Sequence, residues 1–186
     1  MDISVRETVR ETAQVLGISE WVEGYLDGEA SEIGEKDTEI LVDCFNRVQN
    51  ELAVDYLPLT AEDELITATG IIPYVALNNS VVRIICVENE EGESVRFKLF
   101  PDYLETNSGK VKVFYTYSPP QQGIDGVCAY KTAVSKRLFV YGMAAEYSLI
   151  VGENEKASAW DRKYKEAVNA AYKLRPVKKL RSRRWV

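Results

Sequence analysis

The sequence predicts an α+β protein in which a helical bundle carries an inserted small antiparallel β unit. Apolar residues recur at helical spacing before residue 58 and after residue 122, whereas the intervening segment alternates apolar and polar residues. Helix runs separated by a single run of strands are typical of this class and not of βαβ alternation. We expect four parts: N-terminal helices of the bundle (1–58), the inserted antiparallel β unit (59–122), C-terminal helices of the bundle (123–175) and an extended basic C-terminal arm (176–186).

The N-terminal part predicts two main helices. Gly17 would end the first helix, whose apolar face is formed by Val5, Val9, Ala13 and Leu16. We expect a short turn of helix around 19–26 and an acidic loop over 27–36. Asp37 is a good N-cap for the second helix, which Pro58 would stop.

The middle part predicts four or five short strands. We read 62–64 (Glu-Asp-Glu) as the first turn of a short helix or an acidic linker. The extended segments are marked by β-branched runs and by alternation, with a turn at 90–92: they are 65–69, 71–74, 81–87, 95–99 and 110–117. Val111, Val113, Tyr115 and Tyr117 should share one face of the last strand.

Helical spacing then resumes. The apolar positions from Tyr130 to Leu149 predict a long helix, with Gly152 at its C-terminal end. Asn154 can cap the last helix, which Pro176 would end. The residues after Pro176 are too basic and too poor in apolar side chains to fold by themselves.

The composition argues against an enzyme. The chain contains no histidine, which removes histidine-based nucleophile systems and histidine-ligated zinc or haem. No nucleotide-binding or metal-binding motif is present. We therefore expect no catalytic residue, no cofactor and no metal.

The cysteines and the clustered acids also favour structural explanations. Cys44, Cys86 and Cys128 are odd in number and widely spaced, so we expect free, half-buried thiols and neither disulfides nor zinc. A group of acids could bind a divalent cation, but its place on the expected hairpin tip favours a solvated turn; its members are Glu88, Glu90, Glu91 and Glu93.

No membrane segment is expected. The first residues are charged and lack the apolar stretch of a secretory signal. The apolar run at 138–145 is far shorter than the roughly 18–20 residues that a membrane span requires. The sequence therefore favours a soluble protein made in the cytoplasm.

Charge is distributed unevenly along the chain. Residues 1–64 contain 17 acidic and 4 basic residues, whereas residues 173–186 contain 7 basic residues and no acidic one. Such asymmetry points to an interaction surface. We expect the basic tail to dock on an acidic protein surface and to anchor there through Trp185. The alternatives are binding to nucleic-acid phosphates and a solvated tail without a role.

Tyrosine is abundant in the β unit and in the late helices. Tyr115 and Tyr117, together with Phe97, could form a base-stacking platform for single-stranded nucleic acid. The same faces are needed to cover a core or a neighbouring subunit. We favour the core or subunit-interface interpretation.

The chain resembles the head-to-tail adaptor proteins of tailed bacteriophages, including tail tubular protein A and the gatekeeper-type adaptors. The residues that carry the likeness lie mainly after residue 111: 138–147, 152–157, 160–167 and the closing 183–185 (Arg-Arg-Trp). The order of helices, inserted β unit, helices and basic arm is also similar.

The resemblance implies a structural virion protein, made in the host cytoplasm, that acts in the neck at the portal vertex. Adaptors of this kind form a twelve-subunit ring that joins the portal protein to a neck, nozzle or tail-tube protein on the tail side. The ring lines the channel through which genomic DNA passes at ejection, without sequence-specific binding. The β unit would face the tail-side partner.

The resemblance also assigns residues to these contacts. The bundle supplies the contacts between subunits, with Tyr141, Trp160 and Tyr164 as the packing residues. The portal-docking arm consists of Lys178, Lys179, Arg181, Arg183, Arg184 and Trp185.

Three other functions stay open at this point. A stopper, tail terminator or baseplate wedge would share ring symmetry but rest on a β-barrel core with low helix content. A nucleic-acid-binding protein would use the basic tail, and its binding would fall steeply with salt. An enzyme comes last, because no nucleophile with a base and no metal site can be named.

Overall fold

The computed structural model describes residues 2–130 and 134–173. It confirms the α+β class: the protein is about 49% helical and 24% strand, with small antiparallel sheets. The chain divides into two compact units. The first is the chain up to Phe45 together with the chain from Asp125 onward, and the second is Asn46–Ile124. The expected extended arm lies outside the described residues.

Three helices form the early part of the chain: α1 (Val5–Leu16), α2 (Ser19–Leu26) and α3 (Glu32–Glu51). Gly17 ends α1 in the left-handed conformation, at φ 78°, as expected. The prediction of an acidic loop over 27–36 was wrong for the second half of that range. The helix α3 begins at Glu32 and not, as predicted, at Asp37. Ser31 caps this helix instead, because its Oγ accepts the Gly34 amide at 3.0 Å.

The C-terminal part of α3 belongs to the second unit. The Asn46 side chain donates to the Gln122 carbonyl at 2.9 Å and accepts the Gln122 amide at 2.7 Å. The Ser118 hydroxyl donates to Asn50 Oδ1 at 2.5 Å. The helix then continues as a π-helical turn, Leu52–Tyr56, and ends before Pro58. Residues 46–58, which the sequence assigns to the N-terminal helices, therefore group with the strands.

The late helices are α4 (Lys136–Ile150) and α5 (Asn154–Lys173). The long helix expected from Tyr130 starts later than predicted. The Val5 amide donates to the Gly126 carbonyl at 3.1 Å, and the Cys128 amide donates to the Ile3 carbonyl at 2.9 Å. This extended pairing with the N-terminal segment occupies backbone groups that a helix would need, so Tyr130 is not helical.

Helix α4 lies at the centre of the helical unit. Its apolar side chains point in nearly all directions, and nine of its fifteen residues are buried. Phe139 stacks on Phe45 of α3 with ring centroids 4.8 Å apart. Tyr147 reaches Asp37 of the same helix, so α3 and α4 run antiparallel. Gly152, at φ 83°, forms the turn into α5.

The β unit contains two three-stranded antiparallel sheets. Their spatial orders are β1-β6-β3 and β2-β5-β4. The number of strands is six, one more than the upper expectation, and the strands are β1 (Leu59–Thr67), β2 (Ile71–Pro73), β3 (Ser80–Asn89), β4 (Lys98–Leu99), β5 (Tyr103–Glu105) and β6 (Gly109–Ser118). The return strand expected over 95–99 is reduced to β4.

The interpretation of 62–64 as a short helix or linker was wrong, because these residues lie in the middle of β1. Their charges are matched across the sheet: Lys112 lies 3.3 Å from Glu62, and Lys110 lies 3.3 Å from Glu64. Cross-strand pairs of opposite charge stabilise this strand, although its acidic residue types do not favour β structure.

The two sheets share one apolar core. Val111, Val113 and Tyr115 of β6 are buried in it, and Tyr117 packs at its margin, so the predicted face of this strand is correct. Ile72 and Leu104 enter the same core from the other sheet. Strand β3 bulges twice against β6, which leaves Val82 and Ile85 without a partner residue across the ladder.

Candidate interaction surfaces

A cation–aromatic cluster lies on the surface of α4 and α5; it consists of Arg137, Tyr141, Trp160 and Lys163. The Tyr141 and Trp160 rings stack with centroids 5.7 Å apart. Lys163 Nζ lies 4.0 Å from the Trp160 ring centroid, and the Arg137 guanidinium lies 5.3 Å from that of Tyr141. Arg137 Nε also donates to the Tyr141 hydroxyl at 2.5 Å. Both rings are half-buried and both cations are exposed.

The helices dictate this arrangement. Arg137 and Tyr141 are four residues apart on α4, and Trp160 and Lys163 are three apart on α5, so each pair shares a helix face. Two stacked aromatic rings flanked by cations can bind apolar side chains and carboxylates at the same time. Aromatic residues and arginine are enriched at the centres of protein interfaces. The cluster therefore has the chemistry of a protein-binding surface.

The three residues expected to pack between subunits have different environments. Tyr141 and Trp160 are brought together and keep part of each ring exposed. Tyr164 is only 4% exposed and packs inside the helical unit. Trp160 and Tyr164 are four residues apart and so share a face of α5, which means that the difference in exposure comes from what covers each ring along that face.

Sequence reasoning missed an apolar surface at one end of the helical unit, which we call the end patch: Trp21, Ile33, Leu149, Ile150 and Val151. These side chains are between 39% and 64% exposed. Apolar periodicity alone would assign each of these residues to the buried face of its helix. The sequence signal that could have indicated this surface is the run of three apolar residues, 149–151, directly before Gly152.

Asp37 is the hydrogen-bonding centre beside the end patch. Trp21 Nε1 donates to its Oδ2 at 3.1 Å, and the Tyr147 hydroxyl donates to its Oδ1 at 2.9 Å. Burial, followed by the contact with Asp37, raises the pKa of Tyr147 well above its ordinary value. Tyr147 therefore stays a neutral donor at physiological pH and fixes α2, α3 and α4 together at this end.

The structure excludes Tyr115 from the base-stacking platform that the sequence offered as an alternative. Tyr115 is fully buried, and its hydroxyl donates to Asp63 at 2.7 Å. Tyr117 and Phe97 pack against the same core. A base cannot stack on the enclosed ring of Tyr115, whereas Tyr117 and Phe97 are half-buried at the margin of the core.

The acidic hairpin and the thiols have structural roles. Asn89 Oδ1 accepts the amides of Glu91 and Glu93 at 3.0 and 2.8 Å, which shapes the turn. Cys44 and Cys128 are buried and Cys86 is half-buried, and no disulfide joins these three described residues. Burial raises the pKa of Cys128 to about 11, so this thiol stays protonated at neutral pH.

Neither a metal-binding cluster nor a membrane-spanning helix is found among the described residues. Within residues 2–130 and 134–173, no group of three or more Cys, Asp or Glu side chains is placed to hold a metal ion. No helix in those ranges is both long and apolar enough to cross a membrane. The expected portal-docking residues, 178–185, lie outside the described part of the chain.

The comparisons with known proteins do not identify a family. No protein-family model matches this chain, and no curated protein matches it significantly.

Proposed function

We propose that the protein is a structural virion component, a head-to-tail adaptor whose ring joins the portal vertex of a tailed bacteriophage to its neck or tail. The observation that carries the proposal is the architecture. The early and late helices share one core around α4, and the β unit is inserted between them. A helix content of about 49% favours an adaptor over neck components built on a β-barrel.

The charge distribution supports assembly of unlike surfaces into a ring. The cation–aromatic cluster presents Arg137 and Lys163 on α4 and α5. Residues 17–46, which include α2 and most of α3, contain nine acidic residues and one basic residue, Lys36. Interfaces between unlike surfaces of identical subunits generate rings when the rotation closes. We assign the cluster to one side of each subunit contact and the acidic helices to the other.

The basic arm is assigned to the portal protein. Its cations would meet an acidic surface on the portal and Trp185 would anchor it, with Lys178, Lys179, Arg181, Arg183 and Arg184 as the charged contacts.

The β unit is assigned to the tail-side partner, a neck, nozzle or tail-tube protein. Two of its apolar side chains are almost fully exposed: Ile66 is 84% exposed and Val75 is 93% exposed. Both side chains are accessible to a partner at the surface of the β unit.

Removal of residues 177–186 tests the portal assignment. The truncated protein should keep its circular dichroism spectrum and should no longer co-sediment with portal-bearing heads. A full-length variant with every arm cation replaced by Ser separates the effect of charge from that of length. Undiminished binding of the truncated protein would contradict the assignment.

Gene order gives an independent check of the proposed function, since a portal, a terminase and a major capsid gene should lie close upstream.

A further inference from the structure

The end patch is too apolar to be explained as ordinary solvated surface. Leu149, Ile150 and Val151 are consecutive and each is about half exposed. They follow Tyr147, whose hydroxyl contacts Asp37. Trp21 contacts the other oxygen of Asp37, so α2 and the end of α4 meet at the same carboxylate.

Ile33 belongs to the same surface. A Cβ atom on the adjacent Gly34 would collide with the Trp21 carbonyl oxygen, which shows how closely α3 lies against α2. The antiparallel pairing of α3 with α4, from Phe45 with Phe139 to Asp37 with Tyr147, brings Ile33 level with Ile150. The five large apolar side chains of the end patch thus lie at the same end of the helical unit, and each is at least 39% exposed.

The segments that carry Trp21 and Ile33 are strongly acidic. Four acids of α2, α3 and the connection between them are exposed or half-exposed, and within the described ranges their carboxylates have no ion pair; they are Glu20, Glu29, Glu32 and Glu35. Lys36 is the single basic residue over 17–46. An occupant of the end patch must therefore combine cations with apolar anchors.

Residues 174–186 have that composition. They contain six Lys and Arg residues, no acidic residue, and the apolar side chains of Leu180, Trp185 and Val186. Before residue 173, no stretch of thirteen residues contains six basic residues and no acidic one. The C-terminal segment is thus the part of this chain that complements the end patch in both charge and hydrophobicity.

The segment is also long enough to reach the patch on its own subunit. Helix α5 turns back along α4 after Gly152, so Lys173 lies about 30 Å from the end patch, the length of a twenty-residue helix. Thirteen extended residues span about 43 Å. A tether that can span two sites gives an effective concentration in the millimolar range, which favours the intramolecular contact over one between dilute copies.

We propose that residues 174–186 dock on the end patch of their own subunit before the protein meets its partner. The cations lie over the acids of α2 and α3, and Trp185 contacts the apolar centre. This contact goes beyond the proposed function, because it describes the free protein. A partner that takes the arm must compete with the end patch.

Limited trypsin digestion of the full-length protein tests this docking. Mass spectrometry would follow the initial cleavage rate after each Lys and Arg of residues 174–186. We expect protection at low salt and cleavage about tenfold faster at high salt, the change that a loss of about 1.4 kcal/mol of docking free energy produces.

Charge variants provide the matched comparison. The triple variant Glu29→Gln, Glu32→Gln, Glu35→Gln should speed cleavage of the segment to a similar extent. The control triple variant removes the same charge from the β-hairpin tip and should leave the rate unchanged; it is Glu90→Gln, Glu91→Gln, Glu93→Gln. Equal rates in the wild type and in both variants, at both salt concentrations, would overturn the proposal.

Two further measurements complete the test. Trp185→Ala should also speed cleavage of the segment, whereas an unchanged rate would exclude the apolar anchor. Dilution of the wild-type protein should not alter the protection. Protection that disappears on dilution would overturn docking within one subunit and would indicate docking on a second copy.

Discussion

At the scale of single residues, Asp63 organises the β unit. Its Oδ2 accepts the Asn78 amide at 2.8 Å and the Tyr115 hydroxyl at 2.7 Å, and its Oδ1 accepts the Asn78 side chain at 2.7 Å. Asn79 donates in turn to the Tyr115 oxygen at 3.1 Å. One carboxylate therefore connects β1, β6 and the loop that leads into β3.

Asp63→Asn should destabilise the protein by about 2–3 kcal/mol. The new amide group would face donors, and hydrogen bonds to a charged acceptor contribute about 1.5–3 kcal/mol. The neighbouring exposed variant Glu62→Gln is the control and should stay within about 0.5 kcal/mol of wild type. Urea unfolding of both variants measures the difference, and equal losses would contradict the assigned role.

The same carboxylate predicts a pH dependence. Burial raises the pKa of Asp63, but the hydrogen bonds from the Asn78 amide, Tyr115 and the Asn78 side chain together hold it below its ordinary value of 3.8. A lowered pKa in the folded state stabilises the protein above the ordinary value and loses that effect as the pH falls. The stability difference between wild type and Asp63→Asn should be constant near neutrality and shrink below about pH 4. A difference independent of pH from 3 to 7 would refute this.

At the scale of elements, the connection between β1 and β2 depends on one glycine. Gly70 has φ 79°, the left-handed region that favours glycine. The Thr106 amide donates to its carbonyl at 2.7 Å, and a Cβ atom on Gly70 would overlap the Thr106 carbonyl oxygen. The close approach holds the start of β2 beside the end of β5.

Gly92 provides a matched comparison for Gly70. It has the same φ of 79°, and no atom lies within 4 Å of its Cβ position. Gly92→Ala should cost only the left-handed conformation, about 1–2 kcal/mol. Gly70→Ala should cost at least 1 kcal/mol more, because the strand connection must also shift. Thermal unfolding of both variants gives the comparison, and similar losses would mean that the close approach contributes nothing.

Elements were predictable where the local pattern and the environment agreed. Helix α1 and its end at Gly17 followed from spacing and from glycine conformation, and so did the buried face of β6. Strand β1 was missed because its acids oppose strand formation locally, and the lysines that compensate them lie about fifty residues further along the chain. The start of α4 was missed for a similar reason, because the N-terminal segment pairs with Cys128.

At the scale of the whole molecule, segments far apart in the sequence form the helical unit. Phe45 stacks on Phe139, and Lys136 pairs with Glu11 at 2.7 Å. The uneven charge of the sequence becomes a surface property in this unit, with acids around the end patch and cations beside the aromatic rings of α4 and α5.

The proposed ring predicts an effect of the cation–aromatic cluster on self-association. Trp160→Ala should weaken assembly by at least tenfold, since interface tryptophans commonly contribute about 2 kcal/mol. Tyr172→Ala, which removes another exposed aromatic ring from α5, is the control and should assemble like the wild type. Sedimentation velocity over a range of protein concentrations measures both. Undiminished assembly of Trp160→Ala would remove the cluster from the subunit contact.

The sequence by itself determined the fold class, the main helices and the separation of charge, because periodicity and composition are local properties. The tertiary structure decided which aromatic residues are exposed: Trp160 lies at the surface, whereas Tyr115 and Tyr164 are buried. It also brought Trp21, Ile33 and the end of α4 to the same end of the helical unit, where their apolar side chains are exposed. Such surfaces depend on contacts between residues more than a hundred positions apart, and no local pattern encodes them.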